Sequence, residues 1–178
     1  MSNPLANDAL LKFGRILTYI FQVFLGLGAI ALTFAIPVVL LSQDHIAKEL
    51  TADSTLSLGA TVGAIVAVLL LALVIVAMAF VFFRNLRQII ETVGAGDPFV
   101  PENADRLGVM GWITLAIQVI ALPLAGIGLL AANAFEEQNF TVDAGLDPGA
   151  VILAVVLFIL ARVFRKGTEM RDDLEGTV

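Results

Sequence analysis

Apolar side chains gather into four long runs, at residues 16–41, 58–83, 109–132 and 147–165, with most of the charged residues held between them. A helix needs roughly 20 apolar residues to cross the hydrocarbon core of a bilayer. An open strand is excluded there, because lipid offers nothing to pair its backbone groups. Each run is therefore predicted to be a membrane-spanning helix. The chain reads as all-α and polytopic, a single domain of four transmembrane helices arranged as two hairpins. No Asp, Glu, Lys, Arg or His lies deep inside any run.

Helical periodicity continues past two of the runs. Leu86, Ile89, Ile90 and Val93 recur at helical spacing between Arg84, Arg87, Gln88 and Glu91, and Val163, Phe164, Gly167, Met170 and Leu174 do the same after the fourth run. Spans two and four are thus expected to extend as amphipathic helices whose apolar stripes pack on each other. That leaves a loop over 84–108 and a tail over 166–178. Within the loop, Gly94 and Gly96 suit the end of a helix, where glycine accepts a left-handed conformation. Asp97, preceding Pro98, is biased to extended backbone. Pro101 and Glu102 suit the first turn of a new helix, and Glu102 lies four residues before Arg106 on one face. Phe99 is expected to anchor the loop, and Tyr19 and Trp112 fit an interfacial aromatic belt.

Small residues recur every fourth position at Gly59, Gly63 and Ala67, and four apart again in the pairs Ala121–Ala125 and Gly128–Ala132. Such ridges let helix backbones approach closely in lipid. Packing within the bundle is the preferred reading, ahead of a homo-oligomer formed through the Gly59–Gly63 face. Gln22 and Gln118 are the most polar residues in the spans, joined by Thr18, Thr33, Thr61 and Thr114. A contact between the two glutamines is expected to help hold the bundle.

Composition sharpens this picture in two places. With 59% hydrophobic residues and a mean hydropathy of +0.96, the chain holds more apolar surface than a soluble domain of 178 residues can bury. The absence of cysteine excludes disulfides and thiolate chemistry, and the single His45 argues against a histidine-based metal site. No cofactor, metal or catalytic residue is expected. Proton-coupled transport and intramembrane hydrolysis both need ionisable groups inside the membrane, and the spans have none. Lys12 and Arg15 precede the first run as in a secretory signal, but that run is far longer than the ~7–15 residues of a signal core, so it is read as a retained span.

Charge sets the orientation. Lys12, Arg15, Arg84, Arg87, Arg106, Arg162, Arg165, Lys166 and Arg171 flank one side of the spans, and Lys48 alone lies on the other. The basic side is therefore expected to be cytoplasmic, together with both termini. Asp44, Glu49, Asp53, Glu136, Glu137, Asp143 and Asp147 place the whole formal charge of −6 on the opposite side. Solvated loops account for those acids without a ligand.

The stretch Gly96-Asp97-Pro98-Phe99, with Pro101-Glu102-Asn103, Arg106-Leu107 and Gly111-Trp112, resembles the hallmark of a bacterial membrane family, domain of unknown function 2975 (DUF2975). The tail from Phe164, Arg165, Gly167 and Glu169 through Val178 is similar to that family's C-terminal signature, and the four-span layout agrees. Gly108 departs from the pattern, where a basic residue commonly follows the Arg-Leu pair. The resemblance implies a protein of the bacterial inner membrane with no established activity. It also implies a possible soluble partner, because members are often encoded beside a small helix-turn-helix regulator. Two functions stand open. One is a non-enzymatic protein whose motif residues Gly96, Asp97, Pro98, Phe99, Glu102, Asn103 and Arg106 help bind a cytoplasmic protein, with no direct contact to nucleic acid. The other is an oligomeric transporter or channel component. A lipid-acting enzyme using Asp97, Glu102, Asn103 and Arg106 ranks last.

Overall fold

The computed structural model describes residues 4–50, 56–135 and 145–175. Among them are five helices: α1 Pro4–Leu41, α2 Gln43–Glu49, α3 Leu58–Gly94, α4 Pro101–Ala132 and α5 Pro148–Glu175. Among the described residues, extended pairing is confined to one antiparallel bridge, Leu50 with Phe135. Asp53, Glu136, Glu137, Asp143 and residues 176–178 of the tail lie outside the described residues.

Helices α1, α3, α4 and α5 are each long and apolar enough to cross a membrane. Their surfaces say the same. On α1, Phe24 is 72% exposed, Phe34 69% and Leu41 87%. A water-soluble monomer does not present contiguous apolar surface of that kind, and hydrocarbon is the solvent that accepts it. Both helix prolines, Pro37 and Pro123, sit within unbroken helices.

Helix boundaries depart from the sequence expectation in three places. Helix α1 starts at Pro4, well before its apolar run, so span one also has an extension. Its Leu11 and Arg15 reach the last turn of α3, where a Cβ built on Gly94 would lie 3.7 Å from an Arg15 Nη. The guanidinium there complements the negative end of the α3 dipole. Residues 43–49, read as loop, form α2; Asp44 in its first turn and Lys48 in its last match the helix dipole and were the available signal. The third is one of extent only: residues 84–108 hold the expected extension of span two and the expected new helix at Pro101, so that only residues 95–100 separate α3 from α4.

Packing gathers the chain into two compact units. Unit 1 comprises Met1–Leu25, Met78–Ala116 and Pro148–Val178, and unit 2 comprises Gly26–Ala77 and Ile117–Asp147. Helices α1, α3 and α4 contribute to both.

Unit 1 has an apolar core drawn from three helices: Ile89 of α3, Leu107 and Met110 of α4, and Leu157 and Ala161 of α5. Phe82, Leu86, Val93 and Phe164 pack around it. Helix α1 joins through Phe21, stacked on Phe83 with ring centroids 4.7 Å apart, and through Gly14, where Ile90 Cδ1 would lie 3.3 Å from a built Cβ. Helices α4 and α5 meet at Gly111, where a Cβ would come within 2.8 Å of the Phe158 ring. The stripe expected on α5 is corrected in phase. Phe164 and Gly167 face inward, but Val163 is 54% and Met170 58% exposed, the buried positions are Ala154, Leu157, Ala161 and Thr168, and the Leu174 side chain lies outside the described residues. The apolar seam turned to α3 and α4 therefore includes a threonine, and a pattern of apolar letters alone passes over it.

In unit 2 the small-residue ridge is also corrected. Gly59 and Gly63 are exposed, nothing among the described residues lies within 4 Å of a Cβ built at either, and Ala67 is half-buried. The buried face of this stretch carries Thr61 and Val62. Thr61 lies two residues beyond Gly59, about 200° round the helix, so the ridge points away from the packed side.

Candidate functional site

The motif residues of the 95–106 region converge on α5 within unit 1, and the construction begins with the end of α3. The Gly96 amide donates to Val93 O at 3.1 Å and the Asp97 amide to Thr92 O at 3.1 Å. This pair of bonds is a Schellman closure, and Gly96 occupies its left-handed position with φ +84°. The chain then runs outside any helix or strand through Pro98 and Phe99 to Pro101, the first residue of α4.

Asn103 ties these pieces together. It is fully buried, and its Nδ2 donates to Thr92 Oγ1 at 2.7 Å and to Pro98 O at 2.9 Å. Its Oδ1 accepts from Arg106 Nη1 at 2.7 Å. Both amide hydrogens are used, and the orientation of the amide is set by its surroundings: a carbonyl on one side and a guanidinium on the other. Arg106, expected opposite Glu102, is thus engaged by Asn103 instead, because the shorter neutral amide is buried where the guanidinium can reach it. Glu102 is exposed.

Helix α5 closes the arrangement. The Phe99 ring lies over Gly167, whose Cβ, if present, would sit 2.6 Å from Phe99 Cδ1. Phe99 also packs on Phe164 with centroids 5.5 Å apart. The buried Thr168 hydroxyl lies 3.2 Å from Phe99 O and 3.0 Å from Phe164 O, its one proton shared between them. Two ion pairs flank the contact, Arg171 with Asp97 and Arg165 with Asp105, the latter at 2.9 Å. Both are substantially exposed, so each contributes about 0–1 kcal/mol. Lys166 donates to Glu169 at 3.0 Å, and that hydrogen bond and charge hold the ammonium above its ordinary pKa.

The motif residues therefore act first on one another, as a clasp that fixes residues 95–100 against α5. Two members, Thr92 and Asp105, escaped the sequence reading; Arg171 was read only for its charge, and Thr168 only as part of the tail that carries the family resemblance. The helical period offered a signal only for Thr168, four residues beyond Phe164. Gln22 is buried in unit 1, and Gln118 of unit 2 accepts the Asp147 amide at 3.1 Å. Among the described residues, no group of three or more His, Asp or Glu side chains has the arrangement of a metal site.

Four apolar helices and a clasped, charged end define an integral, multi-pass, all-helical membrane protein, with the lipid bilayer as its solvent. The sequence pattern of the family described as "Protein of unknown function (DUF2975)" matches residues 50–178, and the chain belongs to that family. The match takes in α3, α4, α5 and every residue of the clasp. No curated protein and no solved structure matches the chain.

Proposed function

We propose that this is a non-enzymatic protein of the bacterial cytoplasmic membrane that presents its basic end to the cytoplasm as a docking platform for a soluble protein. The charge distribution supports the orientation: Lys48 lies in unit 2, and the other basic residues all lie in unit 1. The observation that carries the docking reading is the clasp. The polar groups of the motif are spent on holding a non-helical segment in one conformation, and a fixed surface binds without the entropic cost of ordering it. Phe99, at 41% exposure, Glu102 and Met170 remain outward on that fixed surface. A small helix-turn-helix regulator is the partner class that the family resemblance suggests, bound through protein contacts alone.

Purification of the tagged protein in mild detergent from its own host, with mass spectrometry of what accompanies it, tests the reading. A stoichiometric soluble regulator that is lost in Phe99→Ala and Met170→Ala variants is the expected result. Recovery alone, or only as a homo-oligomer, overturns docking.

An oligomeric transporter or channel is the second reading, favoured by the outward-facing Gly59 and Gly63. Against it stand the span hydroxyls. Thr18, Thr33, Thr61 and Thr114 each donate to a carbonyl three or four residues earlier in the chain, at 2.8–3.2 Å. Threonines bonded in this way satisfy themselves at the helix backbone rather than lining a polar path. Solute flux through reconstituted vesicles above that of empty vesicles would put transport ahead.

A further inference from the structure

We propose that unit 1 carries a site for the phosphate headgroup of an anionic phospholipid, between α4 and α5 at the boundary where their apolar surface gives way to basic residues. A cavity of about 770 Å³ opens there. That is within the range of roughly 300–1,000 Å³ typical of small-molecule sites. Gly108 lines it, and nothing lies within 4 Å of a Cβ built there. Its aromatic wall is Trp112, packed edge-on to Phe158 with centroids 5.4 Å apart.

The charge of the cavity selects an anion. Arg162, Arg165 and Lys166 line it, and Glu169 is the one acid among the lining residues. Arg165 is paired with Asp105, which does not line the cavity, and Lys166 with Glu169. Arg162 has no partner among the described residues, which leaves a guanidinium uncompensated at the cavity wall. Phosphate is the group whose geometry a guanidinium fork matches best.

The surroundings select a lipid over a water-borne phosphate. Phe158, Arg162, Arg165 and Glu169 lie on one stripe of α5, and the same stripe continues towards the helix N-terminus as Val151 and Val155, 40% and 52% exposed. Trp112, 68% exposed, stands beside it on α4, as interfacial tryptophans do. A ligand whose phosphate sits on Arg162 therefore has uncovered apolar helix directly adjacent. A diacyl lipid fills both parts, and basic pockets between membrane helices are known to take such headgroups.

Trp112 is the only tryptophan, so its fluorescence reports on this cavity. The full chain is reconstituted in phosphatidylcholine vesicles containing phosphatidylglycerol, with bromine placed on the acyl chains of one lipid or the other as quencher. Brominated phosphatidylglycerol is expected to quench Trp112 more than brominated phosphatidylcholine at equal mole fraction. Arg162→Gln should lower that preference about five-fold, the worth of one basic residue at a membrane surface. Gly108→Leu should lower it by filling the cavity without changing charge, and Lys12→Gln should leave it intact. Circular dichroism checks that each variant keeps its helices. Equal quenching by the two lipids overturns the proposal, as does an unchanged preference in Arg162→Gln. Loss of the preference in excess inorganic phosphate assigns the site to free phosphate and overturns the lipid.

Discussion

Asn103→Ala tests the clasp at its centre. The substitution removes two bonds to uncharged acceptors and one from a guanidinium. At about 1 kcal/mol for each of the first two and about 1.5–3 for the third, the bonds sum to roughly 3.5–5 kcal/mol. Two features reduce this. Arg106 is half-buried and can turn to water, and Thr92 keeps its own bond to Ile89 O at 2.8 Å. The net loss is about 2–4 kcal/mol, and it falls on residues 95–100 rather than on the spans. Hydrogen exchange followed by mass spectrometry on the protein in nanodiscs reads that loss directly. The amides of Gly96 and Asp97, which donate within the Schellman closure, should exchange on the order of 100-fold faster, while amides in the spans keep their protection. Asn103→Asp keeps the acceptor for Arg106 but turns a buried carboxylate oxygen towards Pro98 O, so its exchange should be at least as fast as that of Asn103→Ala. Exchange at 95–100 that rises less than about three-fold in Asn103→Ala would refute the reasoning, because the amide would then not be what holds the loop.

Three further outcomes are expected. Gly167→Ala drives a Cβ into the Phe99 ring and should cost about 1–3 kcal/mol, seen as a lower melting temperature by circular dichroism. In the Phe99→Ala background the same change should cost much less, and equal losses in both backgrounds would show that the close approach is not the cause. Gly96→Val places a branched side chain at φ +84° and should cost about 1–2 kcal/mol, measured as faster proteolysis within 95–100; an unchanged cleavage rate counts against strain at this position. The chain has no cysteine, so single substitutions report topology without background. Asp44→Cys should react with an impermeant maleimide in intact spheroplasts and Glu102→Cys only after lysis, and the reverse pattern would invert the proposed orientation.

Much of this protein was legible along the chain. Hydropathy is a property of consecutive residues, and it placed the four long helices because a helix in lipid must be apolar for about 20 residues whatever it packs against. The contrast between Lys48 and the basic residues elsewhere, the break at Gly96 and the new helix at Pro101 are likewise local, and so is the motif by which the family is known. Tertiary structure decided what the motif residues do. The Arg165–Asp105, Thr168–Phe99 and Arg171–Asp97 contacts join residues 60, 69 and 74 positions apart. Each depends on which side of one helix meets which side of another, and one residue of phase turns a helix face by about 100°. The same dependence turned Gly59 and Gly63 outward, exposed Val163 and Met170, and buried Thr168 and the amide of Asn103. The helices follow from the affinity of each segment for lipid, whereas the clasp follows from the mutual fit of three segments, and no single segment carries that information.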